Sequence, residues 1–98
     1  MTEQQISNRG SEAAQILESA AYQEAMQALR DAVIAKWKEC SLRDEQGQKL
    51  TLQMMKLADT FEALLSGYVE AGKFAARKLE MDALRDESMG RRILRKVL

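Results

Sequence analysis

The chain reads as all-α: an antiparallel helical hairpin with one very long second helix plus a short N-terminal helix, assembled into an oligomer. Three observations carry this. The residues come largely from strong helix formers (Ala, Leu, Glu, Lys, Arg, Gln, Met), while Val, Ile, Thr and aromatics are sparse. No proline interrupts any of the 98 positions, so no helix is broken from within by a missing N–H. An apolar stripe of Leu50, Met54, Leu57, Phe61, Leu64 with Leu65, Tyr68, Ala75 and Leu79 recurs mainly at steps of three and four. That spacing keeps one helix face against a neighbour.

The elements follow in order. Residues 1–10 are polar, end in Asn8-Arg9-Gly10 and read as a flexible N-terminal arm. Ser11 reads as the N-cap of a short helix to about Glu18, anchored by Ile16 and Leu17. Ser19 can cap the next segment. From Ala20 to Cys40, the residues Tyr22, Met26, Leu29, Val33 and Trp37 fall at steps of 4, 3, 4 and 4, one helical face. Glu24, Gln27, Arg30, Asp31 and Lys38 lie largely off that face. Ser41-Leu42-Arg43-Asp44 breaks the pattern, and either Ser41 or Asp44 can start the second long helix, from about Glu45 to about Arg85. So short a connection makes the two long helices antiparallel neighbours. Gly67 and Gly72 leave two alternatives, a kink or a close helix approach. The expected organisation is an arm over 1–10, a helical hairpin domain over 11–88 and a basic amphipathic tail over 89–98.

A length mismatch implies partners. The first long helix, at ~21 residues, is about 32 Å long, against roughly 60 Å for the second. The Phe61–Leu79 half of the stripe therefore extends past its neighbour, and the short helix can cover only part of it. The interface residues this predicts are Phe61, Leu64, Leu65, Tyr68, Ala75 and Leu79. A second copy is the expected cover, and another protein is the alternative.

Composition argues against chemistry. There is no histidine, which removes the commonest general base and metal ligand at neutral pH. The single cysteine, Cys40, can build neither a zinc site nor a Cys–His nucleophile. The carboxylates sit in no apolar context that would raise a pKa for acid catalysis: Asp59 and Glu62 flank the stripe, and Glu70 with Lys73 reads as a surface ion pair. The expectation is a protein that is not an enzyme, with no metal and no cofactor. No signal peptide and no run of ~20 apolar residues is present, so no membrane partner is expected and a reducing cytosol is the default compartment.

Charge balances overall but not along the chain. Residues 1–72 carry seven Lys/Arg against eleven Asp/Glu, and residues 73–98 carry eight against four. This asymmetry can steer packing or attract a polyanion, and it equally suits a helix C-terminus. In the tail, Arg91, Arg92, Arg95 and Lys96 share one helical face and Ile93, Leu94, Val97 and Leu98 the other. The four cations are candidate contacts for nucleic acid or for a neighbouring subunit. Trp37 also has two readings, a binding hot spot or a lid that closes the hairpin against Leu50 or Met54.

The run Ala21-Tyr22-Gln23-Glu24-Ala25, then Leu29, Trp37, Arg43-Asp44, Leu50, Met54, Lys56-Leu57, Asp59, Phe61, Leu65 and Gly72-Lys73 with Ala75 resembles small helical proteins of tailed bacteriophages, often encoded among head and connector genes. The resemblance covers roughly residues 10–79 and is a pattern of helix anchors. It implies a bacteriophage protein that acts by association in virion assembly, located in the host cytoplasm or the virion, with other virion or host proteins as possible partners, and it carries over no functional residues. A small regulatory or inhibitory protein that binds a host protein through the exposed helix face is the alternative. A nucleic-acid-binding module using the basic tail is a third reading.

Overall fold

The computed structural model describes residues 1–97 and, apart from Arg92, Lys96 and Val97, their side chains. Three helices follow one another: α1 (Glu3–Glu18), α2 (Ala20–Glu39) and α3 (Glu45–Val97). The molecule measures 83 × 25 × 15 Å. The 53 residues of α3 account for about 80 Å of that length at 1.5 Å each, so α3 spans the whole molecule as one rod. It passes through Gly67 and Gly72 without a break. The radius of gyration, 22.9 Å, far exceeds the ~13 Å of a globular chain of this size.

Local chemistry sets the helix ends. Thr2 and Gln5 form a capping box: the Gln5 N–H donates to Thr2 Oγ1 at 3.2 Å, and the Thr2 N–H donates to Gln5 Oε1 at 2.9 Å. Helix α1 therefore starts at Glu3, and residues 3–10 are helix rather than the expected arm. Ser11 lies inside α1, where its hydroxyl donates to the Ser7 carbonyl, and caps nothing. Ser19 adopts an extended backbone, ends α1 and caps α2 by accepting the Tyr22 N–H at 3.1 Å. Asp44 caps α3, accepting the Gly47 N–H at 2.9 Å. The tail expected as a separate unit over 89–98 continues α3 as far as Val97.

The one-residue link at Ser19 lets α1 and α2 run end to end in the same sense, both antiparallel to α3. Gly10 of α1 meets Gly72, and Glu3 reaches Lys78 at 2.6 Å. Arg30 of α2 reaches Asp59 and Glu62. Near the connection, Val33 and Trp37 lie beside Thr51 and Met55. Helix α1 has the more intimate contact of the two. Beyond Lys78, the last ~19 residues of α3, about 28 Å, project past the start of α1.

The core along this seam is thin. Ala13, Met26, Val33, Ala58, Leu65 and Ala75 are its buried apolar residues, and no large side chain among the described residues is fully enclosed. Thr51 is also buried, with its hydroxyl donating back to the Gly47 and Gln48 carbonyls. A single seam of small residues buries little apolar area, which limits what the isolated chain can stabilise.

Candidate functional site

Helix α3 presents two apolar rows, one residue apart in register. Thr51, Met55, Ala58, Glu62 and Leu65 turn toward α2 and the α1–α2 junction and are buried or half-buried. Leu50, Met54, Leu57, Phe61, Leu64 and Tyr68 precede those positions or their neighbours by one residue and so lie about 100° around the helix. All six are exposed, Leu57 at 70% and Leu50 at 58%.

The outer row forms one wall of an open groove of about 400 Å³ between α3 and α2, lined by Met26, Leu29, Met54, Leu57, Ala58 and Phe61. On the surface of α2 beyond Leu29, Ala21, Ala25, Ala28 and Ala32 are exposed at steps of four and three. Past the groove, α1 borders the Tyr68 end of the row, where Met1, Ile6 and Arg9 lie beside Tyr68 and Ala71.

A polar clamp joins α2 to α3 across the seam from the groove. Arg30 donates from Nη1 and Nη2 to the two carboxylate oxygens of Glu62, both at 3.1 Å, and from Nη2 to Asp59 at 2.8 Å. These hydrogen bonds, Glu62 first, push the Arg30 pKa above its ordinary value. Arg30 thus belongs to the α2–α3 contact, although it lies largely off the Tyr22–Trp37 face in sequence. Asp59 and Glu62 likewise serve as its partners rather than as free flanks. Tyr22 packs on Phe61 with ring centroids 6.4 Å apart. Its hydroxyl oxygen is buried and meets no protein hydrogen-bond partner. Burial, then the Glu62 carboxylate, raises the Tyr22 pKa against the opposing pull of Arg30.

The residues expected at an interface divide. Phe61, Leu64 and Tyr68 are exposed on the outer row, while Leu65 (9% exposed) and Ala75 (5%) are buried within the chain and Leu79 is half-buried. The physical reason is the length of α1. Extended to Glu3, it covers α3 up to Lys78, so the uncovered part of the stripe lies toward the N-terminal half of α3 instead. Leu50, Met54 and Leu57 therefore belong to the open face. Of the two readings of Trp37, the lid against Leu50 or Met54 is not met: the indole remains 54% exposed and borders Ile34, Thr51, Leu52 and Met55 on the opposite side of the hairpin. In the tail, Arg91 is paired with Glu87 at 2.5 Å and Arg95 is exposed. The side chains of Arg92 and Lys96 lie outside those described.

Area points the same way as the groove. The chain exposes 8185 Å², whereas a folded monomer of 11.1 kDa exposes roughly 5700 Å². No group of three or more His, Cys, Asp or Glu among the described residues could hold a metal ion, and none of their helices is long and apolar enough to cross a membrane. No protein-family model, curated protein or solved structure matches the chain.

Proposed function

We propose that this chain is a non-enzymatic structural or assembly protein that works by oligomerising through the outer row of α3. The carrying observation is the row itself: six large apolar side chains, Leu50 to Tyr68, exposed in line on a rod whose own core is thin. A contiguous apolar surface of this kind marks a protein contact. The setting in a bacteriophage virion or its head assembly rests on the resemblance of the helix anchors to small phage proteins.

The test is a double substitution on the open row, Leu57→Asp with Leu64→Asp, both exposed and outside the seam. Light scattering of the wild type should give a discrete oligomer that persists on dilution, and the variant should run as a helical monomer by circular dichroism. An unchanged oligomer mass in the variant would overturn the reading. The same groove supports a second reading, a small regulatory or inhibitory protein seating a helix of a host partner. A wild-type monomer at all concentrations would favour it.

A further inference from the structure

We infer that the occupant of the α2–α3 groove is a second copy of this chain, docked by a two-fold axis that sets the two α3 rods antiparallel. This rests on the oligomerising reading above and specifies its partner and geometry. The first support is register. The outer row steps 4, 3, 4, 3, 4 and is symmetric about the point between Leu57 and Phe61. An antiparallel copy therefore sets Leu50 opposite Tyr68, Met54 opposite Leu64 and Leu57 opposite Phe61, large against large along the whole open length.

The rim supports identical faces meeting. Beside the row on α3 runs the column Gln46, Gln53, Thr60, Gly67, uncharged throughout, so two copies bring no like charges together at the edge. The next column outward changes sign along the helix, from Lys49 and Lys56 to Glu70. Antiparallel docking about the centre of the row places Lys49 near the level of the other copy's Glu70. Parallel α3 rods set against each other place each charge level with its own copy. Glu70 already has an exposed i,i+3 contact with Lys73 at 3.5 Å, loose enough to be shared.

Area is sufficient. Half-exposed side chains of this size each leave on the order of 100 Å² open, so the row with Leu29 offers roughly 700 Å² per copy, close to the ~800 Å² per partner of a standard interface.

Cys40 is the only cysteine, so a spin label there reports the geometry directly. In the antiparallel dimer the two Cys40 positions lie about 35 Å apart; with the hairpins parallel they fall within about 20 Å. In a Cys40→Ser background, Thr60→Cys sits next to the axis and should oxidise to a covalent dimer, whereas Gln46→Cys, about 39 Å from its mate, should not. A dimer mass with the long distance and the Thr60 cross-link supports the inference. A dimer mass with the short distance, or cross-linking at Gln46 and not Thr60, overturns the geometry and leaves the oligomerising reading intact. A mass above that of a dimer also overturns the two-fold inference alone. A monomer at every concentration overturns both.

Discussion

Gly10 and Gly72 touch backbone to backbone: a Cβ built on either residue would stand 2.7 Å from the Cα of the other. This contact fixes α1 against α3 and explains why glycine is tolerated in the interior of two helices. Neither residue has a positive φ, so conformational freedom plays no part. What matters is the missing side chain. A methyl on Gly10 would also meet the Tyr68 carbonyl oxygen at 2.8 Å, and backbone cannot step aside as a flexible side chain can.

The same substitution should therefore have opposite signs at different glycines. Gly10→Ala and Gly72→Ala should each destabilise the fold by about 1–3 kcal/mol, because α1 must lift off α3. Gly67→Ala and Gly90→Ala, with nothing within 4 Å of the new methyl, should stabilise by up to about 1 kcal/mol through helix propensity. Urea unfolding of the four variants checks this. Stabilisation by Gly72→Ala would show that the close approach is not maintained in solution.

Arg30 should behave as a clamp rather than a surface charge. Its fork spans Glu62 and Asp59 across the α2–α3 contact, and its side chain is only 24% exposed. Arg30→Ala should destabilise more than Asp59→Ala, since it leaves the less exposed Glu62 without its bidentate partner. Arg30→Lys should recover only part of the loss, because an ammonium cannot donate along two parallel bonds. Thermal melts of the three variants give the order, and equal melts for Arg30→Ala and Asp59→Ala would refute the clamp.

Much of the helical layout is readable from residue order, and its failures have physical causes. Ser19 follows from capping chemistry, which narrows the start of α3 to Ser41 or Asp44, and Met26 with Val33 follows from the 3.6-residue period. The start of α1 does not, because Gly10 reads as a breaker when the contact that uses it lies 62 residues away. The Thr2–Gln5 capping box was the local signal that could have placed it. The harder question is which face of α3 is covered. By hydrophobicity the row Leu50–Leu64 outranks a row containing Thr51 and Glu62. Thr51 enters the seam because its hydroxyl is satisfied by its own helix, and Glu62 because Arg30 meets it. Neither arrangement shows in periodicity.

The capping box gives a third expectation. Thr2→Ala removes the acceptor of the Gln5 N–H and the reciprocal geometry around it, and should cost about 1 kcal/mol. The loss should be local. Hydrogen exchange should quicken across the first turns of α1 while the α2–α3 contact keeps its protection. Uniform loss of protection would mean that α1 and the hairpin unfold as one unit.

Alkali should expose the buried phenol of Tyr22. Its folded pKa lies above the ordinary 10.0, through burial and then Glu62. In the window between these two values the folded chain keeps a proton that the unfolded chain has lost, so stability falls as pH rises through it. Lys78 acts in the same direction. Held protonated by its hydrogen bond to Glu3, its pKa is raised above 10.5, so its contribution is complete below that value and lost as pH climbs through the folded one. With no histidine in the chain, the melting midpoint should stay flat between about pH 7 and 9 and drop above about pH 10. Tyr22→Phe removes a buried hydroxyl that has no protein partner while keeping the ring against Phe61. At neutral pH it should be neutral or stabilising by about 1 kcal/mol. It should also shallow the alkaline drop while leaving the share that belongs to Lys78. A Tyr22→Phe variant that is less stable at pH 7 would mean that the hydroxyl is satisfied in solution.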